Sequence, residues 1–197
     1  MRLLILFLIL SFYMNAQNNN SNLPFFEINS KKNNYTSVNV ISRLIEGVGY
    51  RYYWASNDLK PNDLKFKPSP TSISTYETLE HIFILSETLK NTLTSKVNVR
   101  PSKNTPKSYK EIREGTLDNL KIFNDIILKK SEDDLQKMKI IFSRDGREAS
   151  FPFWNLLNGQ IADMIYHTGQ IVSFRRTTEN PIQKGVNVFL GKTKSFN

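Results

Sequence analysis

The chain has 197 residues, with 27 Lys and Arg, 18 Asp and Glu, two His and no Cys, for a formal charge of +9, which is the size of one globular domain. At 39% hydrophobic and 23% charged residues it is composed like an ordinary folded protein, which excludes a disordered, collagenous or multi-span membrane chain, and the lack of Cys excludes disulfides, thiolate metal sites and a cysteine nucleophile. The Lys and Arg are scattered among acids and fall on no single helical face, so the charge reads as a solubility feature, with no nucleic-acid partner and the chemistry left to His, carboxylates, hydroxyls and amides.

The opening MRLLILFLILSFYMNAQNNN sets Arg2, an apolar run over 3–13 and the small residue Ala16 ahead of an Asn-rich stretch. That is the pattern of a secretory signal: the run is far shorter than the ~20 residues of a spanning helix, and Ala16 suits cleavage before Gln17. The alternative is an uncleaved N-terminal anchor. Cleavage leaves a secreted or periplasmic chain with no membrane span, whose residues 17–36 form an extended lead-in and whose residues 37–197 form one domain.

Four helices follow. Ile41, Leu44, Ile45, Val48, Tyr52, Ala55 and Leu59 keep the spacing of one helical face, which predicts a first helix ended by Pro61. The proline-punctuated stretch NDLKPNDLKFKPSPT reads as a loop. Ser74 with Glu77 is a capping box that opens a second helix over 75–93, which carries His81. The basic, proline-containing SKVNVRPSKNTPK is a linker to another capping box, Ser108 with Glu111, and a third helix over 109–129 in which Gly115 is unfavourable. KIIFSRDGREASF changes period on either side of Asp145-Gly146 and predicts a tight hairpin. A fourth helix runs from Pro152 to about 176, and the tail QKGVNVFLGKTKSFN reads as extended. The fold class expected is all-α, a four-helix bundle with a short β-hairpin between helices three and four.

The fourth helix carries the candidate chemistry. Between 153 and 174 its only formal charge is Asp163. At 100° per residue it divides into three stripes. Leu157, Ile161, Met164, Ile165, Thr168 and Val172 form a core face. Asn155, Gly159, Ala162, Tyr166, Gly169 and Ser173 form a mostly small face suited to close packing, including against a second copy in a homodimer. Gln160, Asp163, His167 and Gln170 form a polar stripe. With no charged face, the helix is expected to be surrounded by protein. A buried Asp163 then needs a cation, and His167 one turn away projects from the same side. His81 is the only other imidazole. Two His and one carboxylate with open positions suit one divalent metal, and a metal-free polar network is the other reading. Imidazole favours Zn²⁺ or Ni²⁺, the carboxylate is compatible with Fe²⁺ or Mn²⁺, and Gln160 and Gln170 are placed to orient the ligands.

The segment GQIADMIYHTGQIVSFRR resembles the last-helix signature of the DinB-like (DinB/YfiT) four-helix-bundle metalloproteins, where HxxxH followed by Gly-Gln and a nearby Arg is typical. EHIFIL resembles their second-helix His motif. The resemblance implies a metal held at His81, Asp163 and His167, with Asp163 standing where those proteins have the first His of the motif. That exchange keeps a competent ligand and lowers the site charge by one unit. A divalent ion there lowers the pKa of bound water to about 7 in favourable cases, which implies a hydrolase-type or transferase enzyme acting on an unidentified small molecule. The alternative is a non-catalytic envelope bundle in which the metal or a His/Asp network is structural. Arg175 and Arg176 lie where an anionic substrate would be drawn, or where they complement the helix dipole.

Overall fold

The computed structural model describes residues 23–29, 31–102, 106 and 108–194. The predicted signal over 1–16 lies outside them. Four long helices, α1 (Ser37–Ala55), α3 (Thr75–Leu93), α4 (Tyr109–Ile127) and α7 (Ala162–Thr177), build the bundle, with α3 packed on α4 and α7, and α1 on the same two. Their shared core includes Ile45, Leu79, Ile82, Leu89, Ile112, Leu117, Phe123, Ile161, Met164 and Ile171, all fully buried.

Both predicted capping boxes form. Ser74 N–H donates to Glu77 Oε2 at 2.6 Å and Glu77 N–H to Ser74 Oγ at 3.2 Å; the Ser108 and Glu111 pair repeats this at 3.1 and 3.2 Å. Each box satisfies two N–H groups that a helix start leaves orphaned. The first helix ends at Ala55, short of the predicted Leu59, and the Ser56 hydroxyl donates to Tyr52 O at 2.6 Å to close its last turn. What reads as loop around Pro61 contains a short helix, α2 (Pro61–Lys65). Proline suits its first position, where no intrahelical N–H is needed.

Gly115 does not weaken α4, because its missing side chain is what the packing uses. A Cβ there would stand 2.8 Å from the Phe83 ring. Gly49 plays the same part on α1, where a Cβ would fall 2.4 Å from Phe25 Cγ. That contact seats the lead-in on the bundle.

The hairpin forms as predicted, β2 (Lys139–Arg144) against β3 (Arg147–Pro152). Asp145 and Gly146 both have positive φ, 51° and 75°, as a type I′ turn requires. The expected linker after α3 adds a third strand, β1 (Asn98–Arg100), parallel to β2, and a short α5 (Glu132–Lys137) precedes the hairpin. The last described elements are β4 (Val186–Asn187) and β5 (Lys192–Thr193), an antiparallel pair.

The fourth helix departs most from its prediction. It begins as α6 (Trp154–Leu156), widens into a π-turn over Leu157–Ile161, and only then continues as α7. The wider turn takes in an extra residue and re-aims everything after it. Ile171 is fully buried, whereas Ile165, assigned to the core face, is 38% exposed, and Ile161, Met164 and Thr168 of that face stay buried. The small stripe faces solvent, with Asn155, Ala162, Tyr166, Gly169 and Ser173 all exposed. The expectation that protein surrounds this helix is thus corrected: one whole side is open.

Arg175 locks the far end of α7. Its side chain is buried and Nη1 donates to Trp54 O, Ala55 O and Asn57 O, each at 3.0 Å, while Nε donates to Asn180 O at 2.6 Å. Asp63 stands beside it, accepting from Lys60 N–H at 2.6 Å, Asn180 Nδ2 at 2.6 Å and the Thr178 hydroxyl. Burial alone would raise the Asp63 carboxyl, but the three donors and the Arg175 charge outweigh it and hold the pKa below its usual value.

Two consequences are measurable. Gly49→Ala forces the Phe25 ring off α1 and is expected to lower stability by about 1–2 kcal/mol in urea unfolding, whereas Gly169→Ala, with nothing within 4 Å of its Cβ, is expected to raise it by up to about 1 kcal/mol. Because folding depresses the Asp63 pKa, its contribution is complete above the unfolded value of about 3.9 and is lost as pH falls through the folded one. Asp63→Asn should therefore lower the melting temperature at pH 7, and the gap to the parent should close as pH falls towards 3.

Candidate metal centre

The three residues singled out in the sequence converge between α3 and α7. His81 projects from the second turn of α3, and Asp163 and His167 lie one turn apart on α7, four residues being the spacing that stacks side chains on one face. His81 Nε2 lies 3.1 Å from Asp163 Oδ2, and His167 Nε2 lies 3.2 Å from Asp163 Oδ1. The imidazoles meet edge to face with centroids 4.6 Å apart. One ligand atom from each residue lies within 4.8 Å of the others.

Gln170 fixes the chemistry of His167. Its Oε1 sits 2.7 Å from His167 Nδ1, and an amide oxygen only accepts, so Nδ1 carries the proton. In the neutral ring Nε2 then presents a lone pair to Asp163 Oδ1. Two acceptors at 3.2 Å repel unless a proton or a cation lies between them. The two histidines contact different oxygens of Asp163, and one ligand atom from each of the three residues lies within 4.8 Å of the others, wider than the roughly 3.4 Å between ligand atoms of a tetrahedral ion with bonds of about 2.1 Å. Two imidazoles and a carboxylate are a donor set of the kind that could hold a divalent cation.

Burial does not match the expectation. The Asp163 and His81 side chains are 40% and 41% exposed, and only His167, at 15%, is well covered. The case for a cation rests on convergent lone pairs rather than on a carboxylate stranded in the core. The same openness gives a small molecule access. Tyr166, 63% exposed and edge-on to His167 at 5.2 Å, stands as a wall beside the ligands.

Of the two glutamines expected to support the site, only Gln170 touches a ligand. Gln160 lies in the π-turn and its Oε1 is buried without a partner. Arg175 is withdrawn from any substrate role by its carbonyl clamp. A groove of about 600 Å³ between α1 and the start of the last helix, lined by Val40, Leu135, Phe153, Trp154 and Leu157, includes none of the three ligands. Sequence reasoning missed the π-turn, whose one local signal is the turn-favouring Asn158-Gly159 inside a helical pattern.

Neither a protein-family profile nor a curated protein sequence matches the chain. A crystal structure of a DinB-like protein, YjoA from Bacillus subtilis, is similar in fold: it shares 14% identity at a TM-score of 0.52, over 70% of this chain and 92% of that one. The fold of this chain is thus DinB-like, a four-helix bundle carrying a His/Asp group able to bind a metal.

Since the ion-pair geometry is open to solvent, it adds little to folding. Exposed pairs are worth about 0–1 kcal/mol, so His81→Ala, freed of metal, is expected to melt within a few degrees of the metal-free parent, and His167→Ala, whose ring is better covered and bonded to Gln170, to lose more. A loss of cooperative unfolding in both would show that the cluster is a folding element.

Proposed function

We propose that the protein is a secreted or periplasmic metal-dependent enzyme of DinB-like fold, of hydrolase type, acting on a small molecule. The observation that carries the reading is the meeting of His81, Asp163 and His167 with Gln170 setting the His167 tautomer. His81 Nε2, His167 Nε2 and an Asp163 oxygen would hold one divalent ion per chain, Zn²⁺ or Ni²⁺ by preference for imidazole and Fe²⁺ or Mn²⁺ by tolerance of the carboxylate. Bound there, such an ion supplies Lewis-acid polarisation at its open positions. The chain's own part is to keep two nitrogen lone pairs and a carboxylate converged, to hold the proton on His167 Nδ1 through Gln170, and to flank the opening with Tyr166. Secretion is supported by the Arg2, apolar-run and Ala16 arrangement, and the open small-residue face of α7 by its shape suits a second copy.

The test is metal analysis of protein purified without chelators or nickel resin, joined to turnover of chromogenic ester and phosphoester panels. One ion per chain is expected, lost in His81→Ala and His167→Ala and retained in Asp163→His, which completes a three-imidazole set. Chelation is expected to abolish turnover and shift the melting temperature by only a few degrees. A large fall in melting temperature with no turnover under any condition would instead assign the ion a structural role. Failure of the parent to bind any of the four metals at micromolar concentration would remove the site.

A further inference from the structure

The last described segment, KGVNVFLGKTK over 184–194, forms the β4/β5 hairpin, and its tip leaves Val188, Phe189 and Leu190 in water at 46%, 92% and 57% exposure. Loops of this kind are ordinarily polar, and three consecutive large apolar side chains at a tip contribute almost nothing to the core. The tip is nevertheless built rigidly. Asn187 Oδ1 accepts from the Phe189 and Leu190 N–H groups at 3.1 and 3.0 Å, and Gly191 N–H donates back to Asn187 O at 2.9 Å.

Gly191 takes φ +64°, and a Cβ there would lie 2.7 Å from Ile28, whose N–H donates to Gly191 O at 2.9 Å. The Tyr50 hydroxyl, from α1, donates to Lys192 O at 2.8 Å, and Lys192 Nζ reaches Glu27 at 2.9 Å. The back of the hairpin is therefore bolted to the lead-in and to the bundle while its front presents apolar groups. Around them the segment carries Lys184 and Lys194, both exposed, with no acid of its own, while Lys192 is paired with Glu27.

We propose that this tip is a docking element for an anionic lipid surface, with Phe189 and Leu190 entering the headgroup and acyl boundary and the flanking lysines meeting lipid phosphates. A convex tip of three residues is too small for the 1,200 Å² or so that a specific protein interface buries. Interfacial attachment requires only a few large apolar side chains backed by cations, a combination sensitive to lipid charge and to salt. The proposal is independent of the metal site.

The experiment is co-sedimentation of the full chain with vesicles of phosphatidylcholine alone or with one quarter phosphatidylglycerol. Any contribution of the leader cancels in comparisons within one background. Binding is expected to the anionic vesicles, about tenfold weaker or more in Phe189→Ser with Leu190→Ser, and to lose its preference for anionic lipid in Lys184→Glu with Lys194→Glu. Both double variants should melt like the parent, because the changed side chains are exposed. Phe189→Trp in a Trp154→Phe background is expected to shift its emission to the blue on those vesicles and to be quenched by brominated lipid. Unshifted emission, or serine variants that bind within twofold of the parent, would overturn the proposal. So would a lipid-free dimer that the serine variants convert to monomer, since that outcome gives the tip to a second copy.

Discussion

The clamp of Arg175 on the last turn of α1 is the contact on which the rest of the bundle's geometry depends. A helix C-terminus leaves carbonyls without partners, and a buried guanidinium is expensive without acceptors. Each problem resolves the other when three carbonyls, Trp54 O, Ala55 O and Asn57 O, converge on Nη1. Asp63 supplies nearby negative charge and ties in α2 and the turn after α7. With that end immobile, α7 cannot slide along its neighbours, and the axial position of Asp163 and His167 relative to His81 is set.

The π-turn governs the other coordinate, rotation. Five residues, Leu157–Ile161, are wound wider than an α-helix, and the side chains that follow point where an uninterrupted helix would not send them. Position along the axis and rotation about it are thus fixed by separate devices at opposite ends of one helix. The cluster of His81, Asp163 and His167 lies between them.

Much of this was legible beforehand. The capping boxes at Ser74 and Ser108 and the Asp145-Gly146 turn announced themselves because each is a local signal, decided by residues within three or four positions. The meeting of His81, Asp163 and His167 was legible for a different reason: with two histidines in the chain and one charge on the fourth helix, few combinations existed. What could not be read was whatever depends on partners distant in sequence. Gly115 looks like a helix breaker until Phe83 is placed over it, and Arg175 looks like a surface cation until the end of α1 is brought against it. Of the stripes of the fourth helix, the polar one holds together and Ile161, Met164 and Thr168 of the core face are buried, while Ile165 and the small-residue face lie open to solvent. β1 was missed because a three-residue parallel strand takes its identity from β2.

The exposure of Asp163 and His81 has a bearing on how such a centre can change over generations. A residue whose replacement barely affects folding can be exchanged without passing through an unfolded intermediate sequence. Whether position 163 holds a carboxylate or an imidazole leaves the clamp and the wide turn untouched, because neither involves that side chain, while the charge at the cluster changes with it. The scaffold thereby keeps the residues that set its shape apart from those that set the charge at the cluster.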